Sequence, residues 1–272
     1  MSSSSPAPAA PADNLRIVLV GTQHPGNIGA AARAMKTMGL SRLVLVAPEI
    51  LPNDEAYRRA AGADDLIRAA PVHATLAEAV ADCRLVLGCT ARSRKVQLEQ
   101  LEPDAAAARA LQRAGEGPVA LVFGRERTGL TNEELQLCHA SVHIPSDPAF
   151  SSLNLAAAVQ VLAYELRLAL LAAAPAGAPA PPPRPDDMPA AHAELEGFFA
   201  QLADTLQAID FHKGRAPESA MRKLRRLCLR ADPRVNELHK LRGILADARR
   251  MARLAGMPGT SGTPGGRSRL SD

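Results

Sequence analysis

The stretch Leu121–Leu135, LVFGRERTGLTNEEL, passes from an apolar run to a glycine, a cluster of charges and a helix start. Val119–Phe123 reads as a short buried strand. Gly124, Arg125, Glu126 and Arg127 follow directly, so charge is concentrated at one strand tip. Thr131 and Glu134 then have the S/T-x-x-E spacing of a capping box, in which the two side chains satisfy helix-terminal amides. Strand, charged tip and helix in that order form the repeating unit of parallel α/β sheets, which place ligands at the carboxyl ends of their strands. Glycine there permits close backbone approach, and Glu126 can orient an arginine or accept hydrogen bonds.

The same alternation runs through the first two thirds of the chain. Strands are expected at Leu15–Val20, Leu43–Val46, near Val72–Ala74, at Arg84–Cys89 and at Val142–Ile144, and Thr75 with Glu78 forms a second capping box. The pattern predicts an α/β fold with a doubly wound parallel sheet over residues 15–174. Residues 175–189, PAGAPAPPPRPDDMP, cannot sustain a helix or a central strand and read as a linker. Residues 190–255 have helical spacing, with Pro217 and Pro233 suited to first helical turns, and predict a small α-helical domain. Residues 1–14 and 256–272 have the composition of a disordered extension and tail.

Composition narrows the function class. The net charge of +4 fits an anionic partner. Cys83, Cys89, Cys138 and Cys228 make no CxxC pair and no Cys/His ligand spacing, so neither a metal site nor a disulfide framework is expected, and a cytoplasmic location is. The apolar run AAAVQVLAYELRLALLAAA is interrupted by Gln160, Glu165 and Arg167, which favours a packed helix over a membrane span.

His24–Leu40, HPGNIGAAARAMKTMGL, is a glycine-containing turn running into a helix. A phosphate-binding P-loop would need Lys and Ser or Thr where Asn27 and Ile28 stand, and a dinucleotide fingerprint would need a further glycine. Asn27 suits an N-cap and Gly39 a C-cap. Ile28, Ala32, Met35 and Met38 share one face, whereas Gly29, Arg33 and Lys36 fall on another, so Arg33 points away from its own core. A further loop, IPSDPAFSSLNLAAAVQVL, leads from Ile144 through two prolines to Ser151, Ser152, Leu153 and Asn154 at the start of a long helix. Serine there suits a cap; Asn154, just inside the helix, is harder to explain that way.

In this order N-x-G-A-x-x-R, F-G-x-E-x-x-G-L and I-P followed by S-L-N resemble the motifs of the SPOUT superfamily of RNA methyltransferases. NIGAAARAMKTMGL, LVFGRERTGLTNEEL and SSLNLAAAVQVLAYE are similar to the TrmJ type, as are MRKLRRL and ELHKLRGIL of the helical extension. The resemblance implies a C-terminal trefoil knot in the parallel sheet, S-adenosylmethionine as cofactor, and a homodimer that shares its active site. It implies methylation of the ribose 2′-hydroxyl of cytidine or uridine in the tRNA anticodon loop, with position 32 expected. By motif, the cofactor would meet Cys89, Thr90, Ala91, Gly124, Ile144, Ser151, Ser152 and Leu153. Arg33, Glu126, Ser152 and Asn154 would form the catalytic group.

Arginine is a poor base, so Arg33 is expected to stabilise developing alkoxide charge. RNA contact is expected from Asn27, Arg33 and Arg125, and from a basic stripe that includes Arg222, Lys223, Arg225, Arg226 and Arg242. Aromatic residues make up only 3% of the chain, which argues against a reader built on base-stacking platforms. Two other readings stay open: a SPOUT enzyme acting on ribosomal RNA, and a non-catalytic RNA-binding protein on the same fold.

Overall fold

The computed structural model describes residues 11–91, 98–173 and 187–256. Most of the expected extension, linker and tail therefore lies outside the described residues. Pro11–Asn14 form a turn of 3-10 helix whose Asn14 Nδ2 donates to the Ala114 carbonyl at 2.7 Å, so these four residues of the expected disordered extension are structured.

In chain order the first unit contains β1 (Leu15–Val20), α1 (Pro25–Thr37), β2 (Arg42–Val46), α2 (Asp54–Ala60), α3 (Asp64–Ala69), β3 (Val72–His73), α4 (Leu76–Ala79) and β4 (Leu85–Cys89). It continues with β5 (Glu99–Leu101), α5 (Pro103–Ala114), β6 (Val119–Phe123), α6 (Asn132–Gln136), β7 (Ala140–Val142) and α7 (Leu155–Ala172). The seven strands form one parallel sheet in the order β3-β2-β1-β6-β4-β7-β5. Leu15, Ile17 and Leu19 of β1 enter the larger core, with residues of α1, α5 and α7, and Val18 and Val20 enter the core that contains α4 and α6. Burial on both faces explains why Ile17–Val20 of β1 and all of β6 are continuous apolar runs instead of alternating.

The last strand is Ala140–Val142 and ends where Val142–Ile144 had been expected to begin. β5, with its Glu-Gln-Leu sequence and no buried residue, was not expected at all. At the second capping box Thr75 accepts from the Glu78 amide, but Glu78 reaches the Ala74 amide, one residue before the cap. The Thr131–Glu134 box forms in both directions.

α7 is long and apolar enough to cross a membrane, yet its Val159, Leu162, Ala163 and Leu166 are fully buried in the core of the first unit. The second unit contains α8 (His192–Ala208), α9 (Pro217–Ala231) and α10 (Val235–Leu254), closed around Leu195, Phe198, Phe199, Leu202 and Leu238. Pro217 opens α9 as expected; Pro233 instead lies before the N-cap Arg234, and its carbonyl accepts from the Ala190 amide at 3.0 Å.

Candidate active site

Gly124 turns the chain sharply at the end of β6. A Cβ there would stand 2.2 Å from the Gly129 carbonyl carbon, so no other residue lets the loop fold back on itself. The fold-back is closed by the Gly129 amide donating to the Arg125 carbonyl at 2.8 Å, and it leaves Glu126, Arg127 and Thr128 at the tip.

Glu126 reaches across to the start of α1. Its carboxylate accepts from the Gln23 amide at 2.9 Å, the His24 amide at 3.2 Å and Asn27 Nδ2 at 2.8 Å. α1 has no capping bond from its own N-cap residue, His24. Glu126 therefore supplies from another loop both the acceptor and the negative charge that a helix N-terminus favours. Burial pushes its carboxyl upward, but the hydrogen bonds from Asn27 and the Gln23 and His24 amides outweigh this and hold it below its ordinary range. An ionised carboxylate so engaged is a fastener rather than a proton acceptor.

Asn27 is not the N-cap of α1 but its third residue, and its side chain is spent on a longer chain of bonds. Asn154, in turn, is not inside α7: it is the N-cap, accepting from the Ala156 amide at 2.9 Å. Asn154 Nδ2 donates to Asn27 Oδ1 at 3.2 Å, and Asn27 Nδ2 donates onward to Glu126. Asn27 thus ties its own loop to those of Glu126 and Asn154, 99 and 127 residues further along the chain.

A cleft with about 800 Å³ of open space lies against this network. Cys89, Thr90, Ala91, Gly124, Ile144, Ser151, Ser152 and Leu153 all line it, with Glu126 and Arg125 at the same opening. Sequence reading missed Phe123, Val142, Leu155 and Ala158 in its wall and Thr128 and Gly129 in its loop. The apolar ends of the flanking strands were the available signal for the first two. Burial pushes the Cys89 thiol upward, so it is a neutral lining group and not a nucleophile.

Asn27, Asn154 and Arg33 do not line the cleft. Arg33 is exposed on α1 and makes no hydrogen bond or ion pair among the described residues. It follows by one turn Gly29, where α1 meets α2: a Cβ on Gly29 would stand 1.9 Å from the Ala56 carbonyl oxygen. Arg125 is engaged: both oxygens of Glu134 accept from its Nη1 at 3.0 Å.

The sequence around this site matches a family model described as the SpoU rRNA Methylase family over residues 14–164, more than half of the chain. The chain belongs to the SpoU rRNA methylase family. A second model, the C-terminal domain of tRNA methyltransferase TrmJ, matches residues 193–256. The chain is 50% identical over 246 residues to the tRNA (cytidine/uridine/adenosine-2′-O-)-methyltransferase TrmJ of Pseudomonas aeruginosa, covering 89% of this chain and 96% of that one. It is 49% identical to the tRNA (cytidine/uridine-2′-O-)-methyltransferase TrmJ of Pectobacterium atrosepticum, over 88% and 98% of the two chains. The crystal structure of TrmJ from Z. mobilis superposes with a TM-score of 0.72 at 37% identity, covering 85% of this chain and 97% of that one. Within the SpoU family the chain is therefore of the TrmJ type.

The helical unit of this SpoU-family chain sorts the expected basic residues. Arg222 and Lys223 are exposed on α9, as is Arg226. Arg225 is not: its guanidinium pairs with Glu196 and lies 4.6 Å from the centre of the Phe199 ring, inside the unit. Arg242 is exposed but bonded, its Nε donating to Gln201 Oε1 at 3.0 Å. No group of three or more metal-ligating side chains occurs among the described residues.

Proposed function

We propose that this chain transfers a methyl group from S-adenosylmethionine to the ribose 2′-hydroxyl of a cytidine or uridine in tRNA, at position 32 of the anticodon loop. The observation that carries the reading is the Asn154–Asn27–Glu126 chain, which joins three motif loops beside one cleft at the strand ends. The cleft fits the cofactor: Ile144, Leu153 and Leu155 offer apolar walls for an adenine ring, and the ionised Glu126 favours a cationic sulfonium. When bound, S-adenosylmethionine supplies an electrophilic methyl group. The protein's task is then to orient the ribose hydroxyl in line and to stabilise its developing negative charge. Glu126 holds the loop geometry, Ser152 lies at the cleft, and Arg33 supplies the positive charge.

Arg33 lies outside the cleft of its own chain, which supports a homodimer in which one subunit's Arg33 serves its partner's cleft. Tyr164, Leu168 and Leu171 form an exposed apolar stripe on α7, which packs beside α1, and that stripe is the surface we assign to dimer contact. The knotted threading is supported by strand order: β6 enters between β1 and β4, and β7 between β4 and β5. Exposed Arg222, Lys223 and Arg226 suit phosphate contact by the helical unit.

Ribosomal RNA is the second reading, favoured by the description of the family model that covers the first unit. The match of the helical unit to a tRNA methyltransferase domain weighs toward tRNA. Labelled S-adenosylmethionine offered with unmodified tRNA and ribosomal RNA, followed by mapping of the labelled nucleotide, tests both. A 2′-O-methylpyrimidine in the tRNA anticodon loop is expected; label only in ribosomal RNA would overturn the assignment.

A further inference from the structure

Phe150 is 85% exposed, the highest exposure among the large apolar side chains of the described residues, in a chain with five phenylalanines. It is held, not loose. Asp147 Oδ1 accepts from the Ala149 amide at 2.8 Å, the Asp147 carbonyl accepts from the Phe150 amide at 2.9 Å, and Ser146 Oγ donates to the Ser151 carbonyl at 3.0 Å. These bonds build a tight turn that presents the ring outward, directly before the cleft residues Ser151 and Ser152. Phe150 does not itself line the cleft, so its ring is not a wall for whatever the cleft holds.

We propose that Phe150 is a positioning residue on which the base of the acceptor nucleotide stacks. The inference rests on the ribose-methylation reading above. Chemistry at a 2′-hydroxyl needs only the ribose at the cleft mouth, so the attached base must lie on the rim. An aromatic face there fixes the nucleotide without reading its hydrogen-bonding edge, because every base has a π-face. That fits the relatives' names, in which cytidine and uridine share one enzyme and adenosine joins them in another. Scarce aromatics exclude an extended stacking surface but leave room for this single platform.

The test uses full-length protein. Phe150→Ala should raise the KM for tRNA by between about 5-fold and about 150-fold, the range that loss of one base–aromatic stack allows. S-adenosylmethionine affinity and sedimentation should stay unchanged. Phe150→Trp and Phe150→Tyr should restore the KM, whereas Phe150→Leu, apolar but not flat, should not. In parallel, a fluorescent cytidine analogue at the methylated position of tRNA should be quenched on binding to wild type and not to Phe150→Ala. That readout needs binding but no turnover, so it judges Phe150 even if transfer to tRNA fails and the functional reading falls. Full rescue by leucine, unchanged quenching, a loss of cofactor affinity or a shift in oligomeric state in Phe150→Ala would each overturn the stacking role.

Discussion

Arg33 and Glu126 divide the work that a list of polar motif residues leaves merged. Glu126 is spent on three donors at the start of α1, whereas Arg33 has no partner among the described residues. Arg33→Ala should therefore abolish methyl transfer while leaving the unfolding midpoint and S-adenosylmethionine affinity intact. The expected loss is about 3–4 kcal/mol of transition-state stabilisation, the scale of deleting one oriented donor. Arg33→Lys should also be poor, since a point charge does not replace a planar fork. Near-normal turnover of Arg33→Ala at saturating tRNA would reduce Arg33 to a surface residue. Glu126→Gln makes the opposite test. The amide keeps the shape but turns a donor toward the Asn27 and amide donors, so stability should fall by about 1 kcal/mol, with turnover falling too. Because the folded carboxyl sits below its ordinary range, its contribution is present above the unfolded value and is lost as pH falls through the folded one. Denaturant unfolding of both proteins between pH 7 and pH 3 should show their difference shrinking with acid; a constant difference would place the effect elsewhere.

At the scale of elements, α8 carries a buried group whose charge state matters. His192 is 1% exposed; among the described residues neither ring nitrogen has a hydrogen-bond partner, and Nε2 lies 3.4 Å from Glu196 Oε1. Burial holds it below its ordinary value; Glu196 opposes this and Arg225 adds to it. As pH drops below about 6.5, the unfolded chain takes up a proton that the folded unit refuses, so stability falls until the folded value is passed. The slope is at most about 1.4 kcal/mol per pH unit. His192→Leu should flatten that part of the stability profile between pH 7.5 and pH 5.5, and an unchanged profile would show that His192 does not titrate on unfolding.

Elements also show what the sequence made legible. β1, β6 and the Thr131–Glu134 box were readable because apolar runs and local hydrogen-bonding chemistry specify them within a few residues. β5 was not: its three residues carry no buried side chain, and only its pairing with β7 makes it a strand. The cleft residues were legible through motif resemblance. The bonds from Asn154 to Asn27 and from Asn27 to Glu126 were not, because each joins residues more than 90 positions apart.

For the whole molecule, the separation of Arg33 from its own cleft sets the decisive experiment. If the site is shared, Arg33→Ala and a cofactor-cleft variant such as Leu153→Glu damage different subunits of each site. In a mixed dimer one site then carries both defects and the other carries none. Equal mixing with free exchange makes half the dimers mixed, so activity should rise from near zero to about a quarter of wild type, as closed two-fold symmetry requires. Dilution below the dimer dissociation constant should lower specific activity in the wild type alone. Were Arg33 to serve its own chain's cleft, every site in the mixed dimer would keep one defect and no activity would return. Two folded, dimeric variants that fail to complement would therefore assign each site to a single subunit, and a fully active monomer in sedimentation would remove the need for the α7 stripe altogether.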